Sequence, residues 1–139
     1  PIAIGALEGI AAAGRNPGKD IFVGGLNWDA PGLEKVKNRE MVTSVGGHFM
    51  TGGWALVLLY DYHHGHDFAD ESTRLQFKIF SALHSGNINQ FLDQFKNRNW
   101  GKIDFTRFSK ALNPDITHYS FDVESILAHE SIYMQELSR

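Results

Sequence analysis

The sequence predicts an α/β fold built on a small parallel sheet. Three observations carry that expectation: helical and strand-like stretches alternate from Ile2 to Val45, the strand-like runs are short and apolar, and Gly, Pro or Asn punctuates the passages between them. Ile2, Ile4, Leu7 and Ile10 recur at helical spacing among alanines, and Gly14 with Asn16-Pro17-Gly18 supplies a stop, so a helix of about three turns opens the chain. Ile21–Leu26 is an apolar run after that turn, expected as a strand covered on both faces. Pro31 suits the first turn of a second helix, which Leu33 and Val36 carry to Asn38, with Asp29 placed to cap it. Met41–Val45 predicts the second strand.

Phe49–His64 is again helical in pattern, with GGWALVLLYDY at its centre. Its uninterrupted apolar stretch, Trp54–Tyr60, is far short of the ~20 residues a membrane span needs, so a buried helix is expected. Leu75, Phe77 and Ile79 alternate with Gln76 and Lys78, which predicts a strand with one polar face over Leu75–Phe80. Ile88, Phe91, Leu92 and Phe95 fall on one helical face. Phe105 and Phe108 form a short apolar turn that Asn113-Pro114 breaks, and Val123, Ile126, Leu127, Tyr133, Met134 and Leu137 mark a terminal amphipathic helix or pair of turns.

A chain of 139 residues is one domain with a core of its own or one piece of a larger protein. Its 42% hydrophobic and 21% charged content excludes a disordered chain. A net charge of -3 with scattered Lys and Arg argues against nucleic acid as the partner. The absence of cysteine removes disulfides and thiol chemistry, and fits cytosol or periplasm equally. The opening PIAIGALEGIAAAG has no Met and no secretory leader pattern, so either the start has been removed or the numbering begins inside a longer chain.

Asn27, Trp28 and Asp29 lie just past the carboxyl end of the first expected strand, the edge where open α/β sheets bind ligands. Amide and carboxylate groups can pair with vicinal hydroxyls, and an indole face suits sugar C–H groups, so the three read as a sugar or polyol contact. The alternative is local: Asp29 caps the next helix and Trp28 packs in a loop. Gly46-Gly47-His48 closes the second strand. The glycines permit a close approach or an unusual φ at a hinge, and His48 is either a ligand donor or a polar residue at a helix start. His63, His64 and His66 with Asp61 and Asp67 invite a metal reading, but adjacent histidines diverge on a helix, and the cluster also suits a helix carboxyl end, so no metal is expected. No nucleophile elbow, P-loop lysine, H-E-x-x-H or G-x-G-x-x-G is present, so neither catalytic residues nor a cofactor are expected.

The ordered set PIAIGALEGIAAAG, GKDIFVGG, LNWD, APGLEKVKNREM and VTSVGG resembles the carboxyl-terminal half of type I periplasmic sugar-binding proteins, the receptors of ABC importers related to ribose and galactose binders and to LacI-type repressor cores. The resemblance extends through GGWALVLLYDYHHG to IDFTRFSKALNP. It implies the periplasmic-binding-protein type I fold, two α/β lobes joined by three crossing strands with the ligand in the cleft, of which this chain is the C-terminal portion. Residues 1–47 then belong to the second lobe, 48–66 form a helix packing on the first lobe, and 67–139 supply a return strand and terminal helices. It also implies a periplasmic location, a sugar-like ligand and a membrane permease partner, with Asn27, Trp28, Asp29, Gly47 and His48 as the ligand-binding set.

Asn27 matches a position where sugar binders carry a contacting Asp, so it keeps the hydrogen bonding and drops the charge. Gly47 matches a position where relatives present Asn, Gln or Arg, which a glycine cannot do. Alternatives within the resemblance are a sensor domain working with a membrane signalling protein, motivated by the terminal ILAHESIYMQELSR, and, less favoured, a LacI-type repressor core.

Overall fold

The computed structural model describes residues 2–95, 101 and 103–126. The chain divides into two compact units, Pro1–Gly47 with Phe80–Arg98, and His48–Ile79 with Asn99–Arg139.

The first unit is a three-stranded sheet, β1 (Gly24–Leu26), β2 (Thr43–Gly46) and β3 (Ser81–His84), in the order β1-β2-β3. Helices α1 (Ile2–Ala12), α2 (Ala30–Lys37) and α4 (Ile88–Phe95) accompany it. β1 and β2 are parallel with Gly25 opposite Ser44, as the alternation of helix and strand predicts, while β3 returns antiparallel with Leu83 opposite Ser44. The sheet is therefore mixed rather than purely parallel. Asn87 ends β3: its Oδ1 accepts from the His84 amide at 2.8 Å and its amide donates to the Ala82 carbonyl at 3.0 Å, turning the chain into α4. Val36, Leu33, Met41, Leu83, Ile88, Phe91 and Phe95 are buried here.

The first strand is shorter and more open than the apolar run Ile21–Leu26 suggests. Only Gly24–Leu26 pairs, and Ile21, Phe22 and Leu26 are 41%, 67% and 60% exposed. β1 lies at the end of the described sheet order, so it lacks the second neighbouring strand that would cover such a run. The second strand is shifted to Thr43–Gly46, and Met41 is buried from the loop before it.

In the second unit, a 3-10 turn at His48–Met50 leads into α3 (Thr51–His63). Trp54, Val57 and Asp61 form its buried face. Trp54 stacks on Phe121 at 5.1 Å between ring centroids and meets Phe105 and Phe108 edge-on at 5.7 and 5.1 Å. The helix is not buried all round, because Leu56, Leu59 and Tyr62 are more than half exposed. Among the described residues, no helix is long and apolar enough to cross a membrane.

The expected strand at Leu75–Phe80 is absent as a ladder, and pairing begins only at Ser81. Alternation fixes which side chains can share a face, but a strand also needs a neighbour for its backbone. Phe105–Phe108 is the short turn predicted, with the Asp104 carboxylate accepting from the Thr106 amide at 3.0 Å. Residues 123–126 are helical. Leu127, Tyr133, Met134 and Leu137 lie outside the described residues.

Candidate functional site

The loop after β1 places Asn27, Trp28 and Asp29 at the carboxyl end of the parallel pair, with the Asn27 amide donating to the Val45 carbonyl at 2.8 Å. Asn27 and Trp28 are both left-handed, with φ of 85° and 47°. Asn tolerates that conformation better than most residues, whereas for Trp it is an outlier that costs about 1–3 kcal/mol unless packing compensates. Packing does compensate. Trp28 is 8% exposed, its Nε1 donates to the buried Ser44 carbonyl at 2.9 Å, and its ring meets Phe91 edge-on at 4.8 Å.

The glycine pair separates into two causes. A Cβ on Gly46 would lie 2.5 Å from Trp28 Cγ, so Gly46 makes room for the indole. Gly47 is buried with φ 108°, a conformation that requires glycine. Asp29 caps α2, its Oδ1 accepting from the Gly32 amide at 2.6 Å, with Pro31 in the first turn as the sequence predicts.

Asn27 is exposed and Asp29 half-buried, and both line a cavity of about 190 Å³ with Leu26, Met41, Ser44 and Ile2. Trp28 lies outside that lining: it is a support from within the core. His48 begins the second unit, half-buried, its carbonyl accepting from Thr51 Oγ1 at 2.7 Å. The cavity therefore mixes polar groups, the exposed Asn27, the half-buried Asp29 and the buried Ser44, with apolar surface from the exposed Ile2 and Leu26 and the buried Met41, a lining that can hydrogen-bond a small hydroxylated solute while covering its C–H groups. Met41, Ser44 and Ile2 were not expected in the lining. Ser44 faces inward on β2, a placement that strand register alone could have indicated, whereas Met41 and Ile2 reach the cavity through tertiary packing.

The second unit holds a polar cluster that the sequence reading passed over. Asp61 is fully buried and accepts from Ser109 Oγ, from the Lys110 and Ala111 amides at 2.7 and 3.3 Å, and from Tyr119 Oη at 2.8 Å. Burial disfavours the charged carboxylate, but the hydrogen bonds from Ser109, Tyr119, Lys110 and Ala111 outweigh it, so its pKa is lowered. Burial and the neighbouring Asp61 charge raise the Tyr119 pKa. Glu71 pairs with Lys110 at 2.5 Å and accepts from the Tyr119 amide at 3.1 Å. The signal was legible in principle, since Asp61 follows Trp54 and Val57 at helical spacing on the buried face. The cluster is a structural tie: every partner of the carboxylate is a donor fixed by the fold. Among the described residues, no three His, Cys, Asp or Glu side chains gather to hold a metal ion. His63 and His66 are exposed, and His64 stacks on Tyr60 at 4.0 Å.

No protein-family model and no curated protein matches the chain. A solved structure does: the crystal structure of a periplasmic sugar-binding protein from Pseudomonas fluorescens is similar over 90% of this chain, with 31% identity and a TM-score of 0.74. The fold is that of a periplasmic binding protein, in part. This chain spans 38% of the length of that structure.

Proposed function

We propose that the chain is the carboxyl-terminal portion of a two-lobe receptor that holds a sugar-like solute between its lobes and presents it to a membrane permease of an ABC importer. The observation that carries the reading is the similarity, over 90% of the chain, to a periplasmic sugar-binding protein. In this reading residues 1–47 belong to the second lobe, 48–66 pack on the first, and 67–139 return and finish the fold.

Asn27 is the solute-facing donor and acceptor. Trp28 and Asp29 hold its loop, and Gly47 and His48, the residues that follow β2, complete the proposed ligand-binding set. Two consecutive left-handed residues, held by a buried indole, support this assignment, because such strain persists where surrounding structure over-determines a functional geometry. The cavity of about 190 Å³ is smaller than the ~300 Å³ at which complete small-molecule pockets begin, in keeping with a solute whose other face is held by the other lobe. Binding by hinge closure needs no catalytic residue and no cofactor: the solute favours the closed state by contacting both lobes, and the permease recognises that state. Such a receptor works in the periplasm.

A thermal-shift screen of the full-length protein against pentoses, hexoses and polyols tests the reading. A specific rise in melting temperature is expected, because a ligand that binds only the native state stabilises it. Asn27→Ala is expected to weaken the responding sugar by about 1–3 kcal/mol. Unchanged affinity would remove Asn27 from the site, and a flat response across the panel would refute sugar binding.

A further inference from the structure

The second unit holds a guanidinium without a counter-ion. Arg107 stands half-buried in the turn Phe105–Phe108. Its side chain meets the Phe108 ring, with Cζ 5.1 Å from the centroid, and its Nη2 donates to the Ser125 carbonyl at 3.5 Å. Among the described residues no carboxylate pairs with it, whereas Arg15, Lys35, Lys78 and Lys110 each have one. An arginine presents several N–H donors and stays charged at any physiological pH, so most of its bonding capacity is uncommitted here.

Arg107 lines a cavity of about 170 Å³ with Phe108, Ile116, His118, Ser120 and Ser125. Separate stretches of chain converge there: the turn at 105–108, the irregular run 116–120, and the turn that Asp122 closes by accepting from the Ser125 amide at 2.6 Å. No carboxylate belongs to the lining. The acids that touch its residues are committed elsewhere. Glu71, 3.7 Å from His118 Nδ1, pairs with Lys110 and accepts from the Tyr119 amide, and Asp122 holds the Ser125 amide. The Ser125 hydroxyl donates to the Asp122 carbonyl at 3.0 Å, while the exposed Ser120 hydroxyl makes no hydrogen bond among the described residues.

A fixed positive charge, a free hydroxyl donor and the apolar surface of Phe108 and Ile116 are together what a small organic anion needs: charge and direct bonds for its head, contact for its hydrocarbon. One permanent cation balances one negative charge, and the planar guanidinium fork matches a planar carboxylate. We propose that this cavity binds the carboxylate of a small organic acid, with Arg107 as the fork, Ser120 as a second donor, and Phe108 and Ile116 against the hydrocarbon part. The site lies wholly in the second unit and does not depend on the sugar reading, whose cavity is lined from the first.

Calorimetric titration of the full-length protein with sodium butyrate, set against sodium chloride and inorganic phosphate at equal ionic strength and neutral pH, tests it. Saturable binding of butyrate is expected, absent with chloride, at least ~10-fold weaker in Arg107→Gln and about 3- to 10-fold weaker in Ser120→Ala. Ser120 is exposed and unbonded, so its variant keeps the fold and decides the matter even where the arginine variant does not fold. An absence of butyrate binding would overturn the proposal. Binding that survives both substitutions unchanged would place the acid elsewhere on the protein and overturn it equally, and phosphate held through Arg107 in preference to butyrate would overturn the ligand class.

Discussion

Replacing Asp61 by alanine removes the one acceptor on which four donors converge: Ser109 Oγ, Tyr119 Oη and the Lys110 and Ala111 amides. Each buried donor left without a partner costs about 1–3 kcal/mol. The four costs do not simply add, because water follows a missing carboxylate into a polar site and neighbouring groups relax together. With four neutral donors stranded together and partial relaxation between them, a loss of about 3–5 kcal/mol is expected for Asp61→Ala. Against a total stability of about 5–15 kcal/mol it is severe. Urea unfolding followed by tryptophan fluorescence measures it, since Trp54 is buried on the same helix face as Asp61. Tyr119→Phe, which removes one of the four donors and keeps the ring, is expected to lose about 1–2 kcal/mol. An Asp61→Ala protein within about 1 kcal/mol of the parent would refute the reasoning, since that is the loss of an ordinary substitution.

The same carboxylate sets a pH dependence. Its pKa is lowered in the folded chain, so its contribution is present above the unfolded carboxylate value of about 3.9 and is lost as pH falls through the lower folded value. The stability gap between the parent and Asp61→Asn should therefore narrow below about pH 4, as denaturant midpoints at stepped pH would show. Tyr119 runs the other way: its pKa is raised, so its contribution holds below the unfolded value of about 10 and fades as pH rises through the higher folded one, and the stability gap between the parent and Tyr119→Phe should narrow above about pH 10 in denaturant midpoints. Gly46→Ala drives a methyl against the Trp28 indole and is expected to cost about 1–3 kcal/mol in thermal melts. Asp29→Ala loses the cap on the Gly32 amide and is expected to cost about 1 kcal/mol by the same assay.

The helices and the capped turn at Asp29 were legible because their causes are local: apolar spacing, a capping carboxylate, Pro31 in a first turn. The strands were less so, because a strand depends on what lies beside it. Ile21–Leu26 and Leu75–Phe80 have equally good strand patterns, yet one pairs over Gly24–Leu26 alone and the other not at all. Within the candidate site, the local alternative, Asp29 capping the next helix and Trp28 packing in its loop, is what the structure shows, while the partners that bury Trp28, Ser44 and Phe91, were not legible because they come from distant parts of the chain. Asp61 shows the opposite failure. It lay on the buried face of a helix whose pattern was plain, but it was weighed only with His63, His64 and His66 as a metal ligand and set aside with them, so its hydrogen-bonding role went unread.

On the proposed reading of Asn27 as a solute contact, the left-handed backbone at residue 27 narrows the ways in which the site can change its preference. Only Gly, Asn and Asp enter that conformation readily. A glycine has nothing to offer a solute, so drift at the position that keeps both the loop and a polar contact is confined to exchanging an amide for a carboxylate. The choice open to evolution there is one unit of charge, made without rebuilding the loop, and any wider change of specificity has to arise elsewhere in the lining, at residues such as Ser44 and Met41 that carry no such backbone restriction.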